Sequence, residues 1–526
     1  MPDPSRLLFV LADVRGQSAC MRRCRRRVWC LGLVLGLIGM PSCPAGAADS
    51  LRPVPTAMHI HSTWSTGDSS LESLIARARA VGVEVIFLTE NYSLRFEYGL
   101  FPLRHLLRYR VEYPSLLNRG PEAFLDAVRA ANARQSDVLL IPGTEVSPYY
   151  YWIGNLFKGT LTMRDGEKKL LAFGLYRAED YRAVPSIGNP GATRWGWGSV
   201  WLLSPALLAI PGVWLIRLRR RRVVRLQHFR VAVEHRYTGY GILCLAVGAV
   251  FLANNFPFRT AAVSAYDPNE GLRPFQALID FVLARGGSIA WSLPEARDYQ
   301  EVRVAGFRAT VVTEPYPSAL LETDRFTAFG GVYEDTTTFT DPGGGWDQLL
   351  TEYLGGSRTA PAWAIGEAAY HHEGQAGKRL GDIQTVILVD RRDPPSLLQA
   401  VRAGRMYALQ RTAEEGLVLD RFQVILPDRP AAEAGDRLSL PGGARPEVHA
   451  AIRATGGRRM PIQALLIRSG KVVHSVRGET PLIFRWSEPP LSAGPALFYR
   501  LQVSGVGGHK ILSNPIFVRA TRAGVQ

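Results

Sequence analysis

Two histidines stand one residue apart at the end of an apolar run, in Met58-His59-Ile60-His61-Ser62. Alternate side chains of an extended strand share a face, so His59 and His61 are expected to point the same way. Neutral imidazole is a common ligand of divalent metals, and a pair at the C-terminal end of a strand suits such a cation. Barrel enzymes carry their chemistry at that end of their strands. Thiolate chemistry is excluded for most of the chain: Cys20, Cys24, Cys30 and Cys43 precede the histidines, and Cys244 lies in a later apolar run. Asp68, in the loop that follows, reads as a solvated carboxylate. The run Tyr149-Tyr150-Tyr151-Trp152 either walls a pocket or packs beneath its rim.

The histidines need a scaffold, and the pattern around them supplies one. Thr56 to His61 reads as a strand, Ser69-Ser70-Leu71-Glu72 as a capping box opening a helix to Val81, and Gly82 as its stop. A strand from Glu84 to Thr89, a helix from Pro121 to Arg134, a strand from Val138 to Ile141 and another from Lys169 to Gly174 follow. The alternation resumes with a helix from Arg273 to Arg285, a strand from Ser288 to Trp291, a helix from Trp346 to Leu354, strands Ala362 to Ile365 and Thr385 to Val389, and a helix from Ser396 to Ala403. Strands alternating with helices predict a parallel sheet, and this many units predict a barrel. From about Leu417 short strands and turns take over, with Ser469-Gly470 as a hairpin turn, which predicts a small β-sandwich of about 100 residues.

The net charge of +16 invites a nucleic-acid reading until the charge is located. Five arginines lie between Arg22 and Arg27, and eight between Arg217 and Arg236, offset there by Glu234. Both clusters border apolar segments, so they read as topology signals, and nucleic acid is an unlikely partner. Met21 to Ala48 has the arginine-rich start, apolar stretch and small-residue end of a secretory signal. Two apolar runs, about Trp197 to Ile216 and Tyr237 to Ala253, suit membrane spans with aromatic residues at their edges. The arginines between them put that loop in the cytoplasm and the flanking parts outside, in agreement with export. Two spans with no charge inside them give little support to transport.

With these elements placed, the motifs resemble the PHP (polymerase and histidinol phosphatase) metallohydrolases. The resemblance rests on His59-Ile60-His61-Ser62, Ser65-Thr66-Gly67-Asp68, Leu88-Thr89-Glu90-Asn91, Pro142-Gly143-Thr144-Glu145, Trp291-Ser292-Leu293-Pro294-Glu295-Ala296 and Ile365-Gly366 to His371. The C-terminal part, with Tyr499-Arg500 and Ser513-Asn514-Pro515, resembles the β domain of the carbaryl-esterase-like branch. The resemblance implies an α/β fold: a distorted (β/α)7 barrel interrupted by a transmembrane helical hairpin and followed by the β-sandwich. Its parts would be a signal region 1–48, barrel halves 49–194 and 257–412 around a hairpin 195–256, and the sandwich 413–526. It also implies metal ligands at His59, His61, Glu90, Glu145 and His371, with Glu145 as the bridging glutamate and Asn91 as a donor to substrate. The chain departs from the family where Glu90 replaces aspartate, Asn91 and Leu293 replace histidines, Ala369 replaces aspartate and Lys169 occupies the region of another histidine. The reduced set implies one or two divalent cations (Zn, Mn or Fe) rather than three, or none. The expected activity is hydrolysis of a phosphoester or of a carboxyl or carbamate ester, by a protein held in the cytoplasmic membrane with its bulk outside. The rival expectation is an inactive barrel kept as a binding or sensing module.

Overall fold

The computed structural model describes residues 51–521 apart from 227, 228, 335, 336, 413, 414 and 428. The signal reading of Met21 to Ala48, with Cys20, Cys24, Cys30 and Cys43, lies outside the described residues.

The fold grows from strand β1 (Arg52–Ile60), whose inner half is buried on both faces. The following helix, Leu71–Val81, forms because Ser70 accepts the Ser73 amide at its start and Gly82 ends it at φ 76°. Leu71, Leu74, Ile75 and Ala78 fall at helical spacing and are buried against the strands, each large one contributing about 1.5–3 kcal/mol. The helix returns the chain to β2 (Val85–Leu88), parallel to β1. After Thr89 the chain leaves that sheet and, as β3 (Glu90–Asn91), joins a second one. The same step recurs after the helix Pro121–Arg134: β4 (Leu139–Ile141) pairs with β2, and β5 (Gly143–Val146) pairs with β3.

The second sheet continues through β6 (Leu170–Phe173), β7 (Ser288–Trp291), β8 (Ala328–Val332) and β9 (Trp363–Gly366). It is mixed, which corrects the expectation of a parallel sheet. β6 runs antiparallel to both β5 and β7. Between β5 and β6 the chain makes the short strands Tyr151–Ile153 and Leu161–Arg164 and no crossover helix, and a parallel return requires a crossover. β10 (Ile383–Val389) is likewise antiparallel to β1. The residues after β9 bind β1: Ala368 donates to the Met58 carbonyl (3.0 Å), Tyr370 to that of His59 (3.0 Å), and His61 to that of Tyr370 (2.9 Å). The C-terminal ends of β1, β3, β5 and β9 therefore meet.

Between β6 and β7 lie two helices long and apolar enough to cross a membrane, Trp197–Arg217 and Thr238–Asn255, with few buried residues. The first is not uniform. Pro205 heads a 3-10 segment, Ser204–Leu208, because proline cannot continue the α-helical ladder. The helices pack through small residues: a Cβ on Gly241 would lie 2.5 Å from the Gly212 carbonyl oxygen. The arginine-rich link between them is a β-ribbon, Arg219–Leu226 paired with Phe229–Arg236.

The C-terminal region is rich in sheet, but it is not detached. Met406–Gln410 pairs with β10 on one side and Lys510–Ser513 on the other, making one continuous sheet from β1 to the C-terminal strands. Only Leu417–Ile425, Glu447–Ala454 and Leu482–Ser487 form a separate sheet against it. Asn514 bridges the two regions through the Ala364 amide (2.9 Å) and the Ala364 and Met406 carbonyls (both 3.1 Å). Arg500, fully buried, makes a bidentate pair with Asp347 at 2.7 Å for both bonds and stacks on Trp346. Removing one partner of such a pair strands the other charge. Asp347→Ala is expected to cost about 3–5 kcal/mol in chemical denaturation, whereas the double replacement Asp347→Leu with Arg500→Met recovers most of that loss.

Candidate metal centre

His59 and His61 do face the same place, by a route different from simple alternation. The β1–β2 register shifts between Met58 and Ile60, and His59 adopts φ 65°. A bulge at His59 re-aims its ring, and His61 follows just past the strand end. A non-glycine residue in this region costs about 1–3 kcal/mol and persists where its surroundings over-determine it. Leu293 (φ 43°) and Ala369 (φ 44°), on the segments after β7 and β9, are strained in the same way.

Glu145, buried on β5, is the centre of the cluster. Its Oε1 lies 3.1 Å from His59 Nε2, and its Oε2 lies 3.9 Å from His61 Nε2 and 3.2 Å from Lys169 Nζ. Asn91 donates to Oε2 at 2.5 Å. Burial alone pushes a carboxyl up, but Lys169, His59 and His61 hold Glu145 well below the usual range. Burial opposes charge on His59 too, yet Glu145 and Glu367 together raise it to about 9. His61 is held far below the usual imidazole value by burial and by His371. Lys169, also paired with Glu167 at 2.5 Å, is kept charged by both glutamates against the cost of burial.

The hydrogen bonds fix which ring nitrogens are free. A carboxylate only accepts, so the Ser65 hydroxyl donates to Glu90 Oε2 (2.5 Å) and has only its lone pairs left for His61 Nδ1 at 3.4 Å. His61 therefore carries its proton on Nδ1 and turns the Nε2 lone pair toward Glu145. Glu367 Oε2 accepts from His59 Nδ1 at 3.0 Å and from Ser292 Oγ at 2.9 Å, while the Leu293 amide holds Oε1 at 2.6 Å. Asn91 turns its amide nitrogen to Glu145, so its oxygen accepts from Thr66 (2.7 Å), and Thr66 in turn accepts from His371 Nδ1 (2.7 Å). The Nε2 atoms of His59 and His61 are buried and face the Glu145 carboxylate at 3.1 and 3.9 Å without a well-aligned hydrogen bond.

Orphaned buried nitrogens are costly unless something binds them. Here they converge with a carboxylate oxygen, all ligand atoms lying within 4.8 Å of one another, and among the described residues this is the one such group. Three ligands of this kind fit one divalent cation. The other residues expected as ligands stand apart from it. Glu90 is buried and turned away onto Ser62 and Ser65, with burial pushing its carboxyl up. It sets the His61 tautomer through Ser65. His371 stacks on His61 at 4.1 Å between ring centres, and burial lowers it to about 4. Asn91 touches Glu145. Of the aromatic run, Tyr150 lines the adjoining cleft with Asn91, Glu145 and Lys169, while Trp152 packs in a small core with Leu161 and Met163.

Sequence reasoning missed Glu367. The signal available was Gly366-Glu367 at the end of β9, two residues before the position searched for an acid. A second signal was Gly330 on β8, where a Cβ would lie 1.7 Å from Glu367 Oε1.

No family model matches the sequence, and no curated protein matches it. Among solved structures, a two-domain protein from Bacteroides vulgatus containing a predicted PHP-like metal-dependent phosphoesterase is 10% identical, with 86% of this chain and 91% of that one covered and a TM-score of 0.31. A protein from Bifidobacterium adolescentis named as a metal-dependent phosphoesterase is 11% identical, with 61% and 90% covered and a TM-score of 0.25. Likeness at this level fixes neither family nor activity.

Because Glu367 orients His59, Glu367→Gln and Gly330→Ala should each weaken Zn(II) or Mn(II) binding by roughly 10–100-fold in calorimetric titration with the fold intact by circular dichroism. Unchanged affinity in both would remove Glu367 from the site.

Proposed function

We propose that this chain is a membrane-anchored, PHP-type metal-dependent hydrolase of phosphoesters or of carboxyl or carbamate esters, working with one divalent cation (Zn, Mn or Fe). The observation that carries the proposal is the convergence of the buried His59 and His61 Nε2 atoms on the Glu145 carboxylate. Three features support the wider reading: the order of the motifs along the chain, the hydrogen bonds that bring β9 back to β1 as in a distorted barrel, and the chemistry gathered at the C-terminal strand ends. The two apolar helices flank an arginine-rich ribbon. That arrangement favours a cytoplasmic ribbon and an extracytoplasmic catalytic part.

A cation held by His59, His61 and Glu145 would supply Lewis acidity and acidify water at the site. The remaining roles belong to the chain itself. Glu367 and Ser292 hold the His59 ring, and Glu90 acts on His61 through Ser65. Asn91 fixes the Glu145 carboxylate and can turn toward substrate. Lys169 and Arg95 border the cleft beside Glu145 and Glu167, and a cation on Glu145 would free the Lys169 ammonium from part of its pairing and so favour an anionic group there. Leu293 and Ala369, which have no ligand atoms in their side chains, leave no second cation site on that flank.

One contact favours the rival reading, a binding or sensing module without catalysis. The Lys169 ammonium sits 3.2 Å from Glu145, where it already compensates the carboxylate. Metal analysis of the purified full-length protein separates the two. About one equivalent of Zn or Mn is expected, lost in a His59→Ala, His61→Ala variant, and Lys169→Met should bind the cation about tenfold more tightly by relieving like-charge repulsion. A folded wild-type protein that takes up no metal at micromolar concentration would sink the hydrolase reading and leave the binding module.

A further inference from the structure

A β-hairpin with no counterpart in the sequence reading joins the metal centre to the membrane helices. Its strands, Leu94–Gly99 and Arg108–Tyr113, pair in antiparallel register. At the base, Leu94, Arg95 and Phe96 line the cleft that also contains Asn91, Glu145 and Lys169. Six residues of strand span about 20 Å to the tip.

The tip exposes apolar side chains alongside His105 and the partly buried Arg104. Phe101 is 75% exposed, and Leu106 and Leu107 are each about half exposed. It is nevertheless held in place. The amides of His105 and Leu106 donate to the Asn254 side-chain oxygen at 3.0 and 3.3 Å. Asn254 is the penultimate residue of the second apolar helix, Thr238–Asn255. Arg104 lies 3.7 Å over the Tyr266 ring, whose hydroxyl accepts the Gly99 amide at 2.6 Å. At the same end of the helices, Asn255 bonds the Leu202 carbonyl (2.8 Å), and Trp195, Trp197 and Phe256 are exposed. Aromatic residues of this kind mark the level where a bilayer meets water. A mobile loop would have no reason to fix an exposed Phe-Leu-Leu tip at that level, whereas an element that enters the headgroup region would.

The cleft at the other end is lined by charged groups on one side and apolar ones on the other. Lys169 and Arg95 face it together with Glu145 and Glu167; Lys169 is paired with both of these carboxylates and Arg95 with Glu97, which leaves the buried Arg95 Nε as the donor without a partner. Phe96, Leu94 and Ile187 supply the apolar wall.

We propose that the 94–113 hairpin seats its tip in the outer leaflet, and that the cleft along its base receives an anionic ester carried on a lipid. This rests on the hydrolase and membrane reading above and names its substrate class. Hydrolysis would break one ester P–O bond, with water giving its oxygen to phosphorus and a proton to the departing alcohol.

The test uses the full-length protein in phosphatidylcholine vesicles. Two probes are compared: the p-nitrophenyl ester of phosphatidic acid, held in the vesicle, and bis(p-nitrophenyl) phosphate, in solution. A Phe101→Ser, Leu106→Ser, Leu107→Ser variant should lose about tenfold on the vesicle-borne ester and stay within about twofold on the soluble one. Equal effects on both probes, or none on either, would overturn the proposal. A second measurement does not need turnover. In a variant lacking the five native cysteines, an NBD label on Leu106→Cys should be quenched by brominated lipid, as should one on Ile242→Cys in the helix, but not one on Phe157→Cys. Quenching at Ile242→Cys without quenching at Leu106→Cys would leave the membrane anchor standing and remove the hairpin from the bilayer. If neither probe is turned over, the hydrolase reading fails, and the Leu106→Cys label alone decides the bilayer contact.

Discussion

A carboxylate withdrawn from water takes up a proton unless positive charge and hydrogen-bond donors replace the solvent. Glu145 is buried at the meeting point of four strand ends, and each neighbour answers that requirement: Lys169 and His59 by charge, Asn91 by its amide. The other site residues follow from this one. His59 is turned to Glu145 by a bulge and pinned from behind by Glu367. His61 is fixed in one tautomer by a serine that Glu90 has already engaged. The two outer glutamates thus work through the imidazoles, and Glu145 alone remains in the middle, facing both ring nitrogens.

The backbone bears the cost of this arrangement. His59, Leu293 and Ala369 all have positive φ without being glycine, and all lie at the ends of strands that converge on the cluster. The Leu293 strain has a visible return, since the backbone amide it exposes is the one that holds Glu367. A histidine at that position could have bound metal directly. The chain instead uses the main chain there to orient a carboxylate, which orients a histidine.

Much of the local structure was legible because its causes are local. The helix from Leu71 to Val81 has its cap, its apolar spacing and its stop written within a dozen residues, and the helix from Pro121 to Arg134 appears at the bounds its Pro and apolar positions suggest. Motif order pointed to His59, His61, Glu90, Glu145 and His371 as one set, of which the structure gathers the ligand atoms of His59, His61 and Glu145. Strand direction was not: whether β6 returns parallel or antiparallel depends on what fills the gap before it, and the short strands at Tyr151–Ile153 and Leu161–Arg164 carry a weak signal. Glu367 was hidden because its role is defined by His59, 308 positions away. The union of the C-terminal strands with the β1 sheet was hidden for the same reason, resting on Met406–Gln410 pairing on both edges.

The place where the apolar helices are inserted carries a geometric consequence. Phe173 and Ser288, the last residue of β6 and the first of β7, are direct partners across the sheet. Nearer the helices, Arg194 and Thr260 pair as an isolated antiparallel bridge, so the chain enters and leaves the helical pair through neighbouring points roughly 5 Å apart. If the pair crosses a bilayer as proposed, the body keeps a limited range of tilts above the lipid plane. In that setting its encounters would be counted per unit area of surface rather than per unit volume, and even a weak attraction for molecules in that plane would become effective.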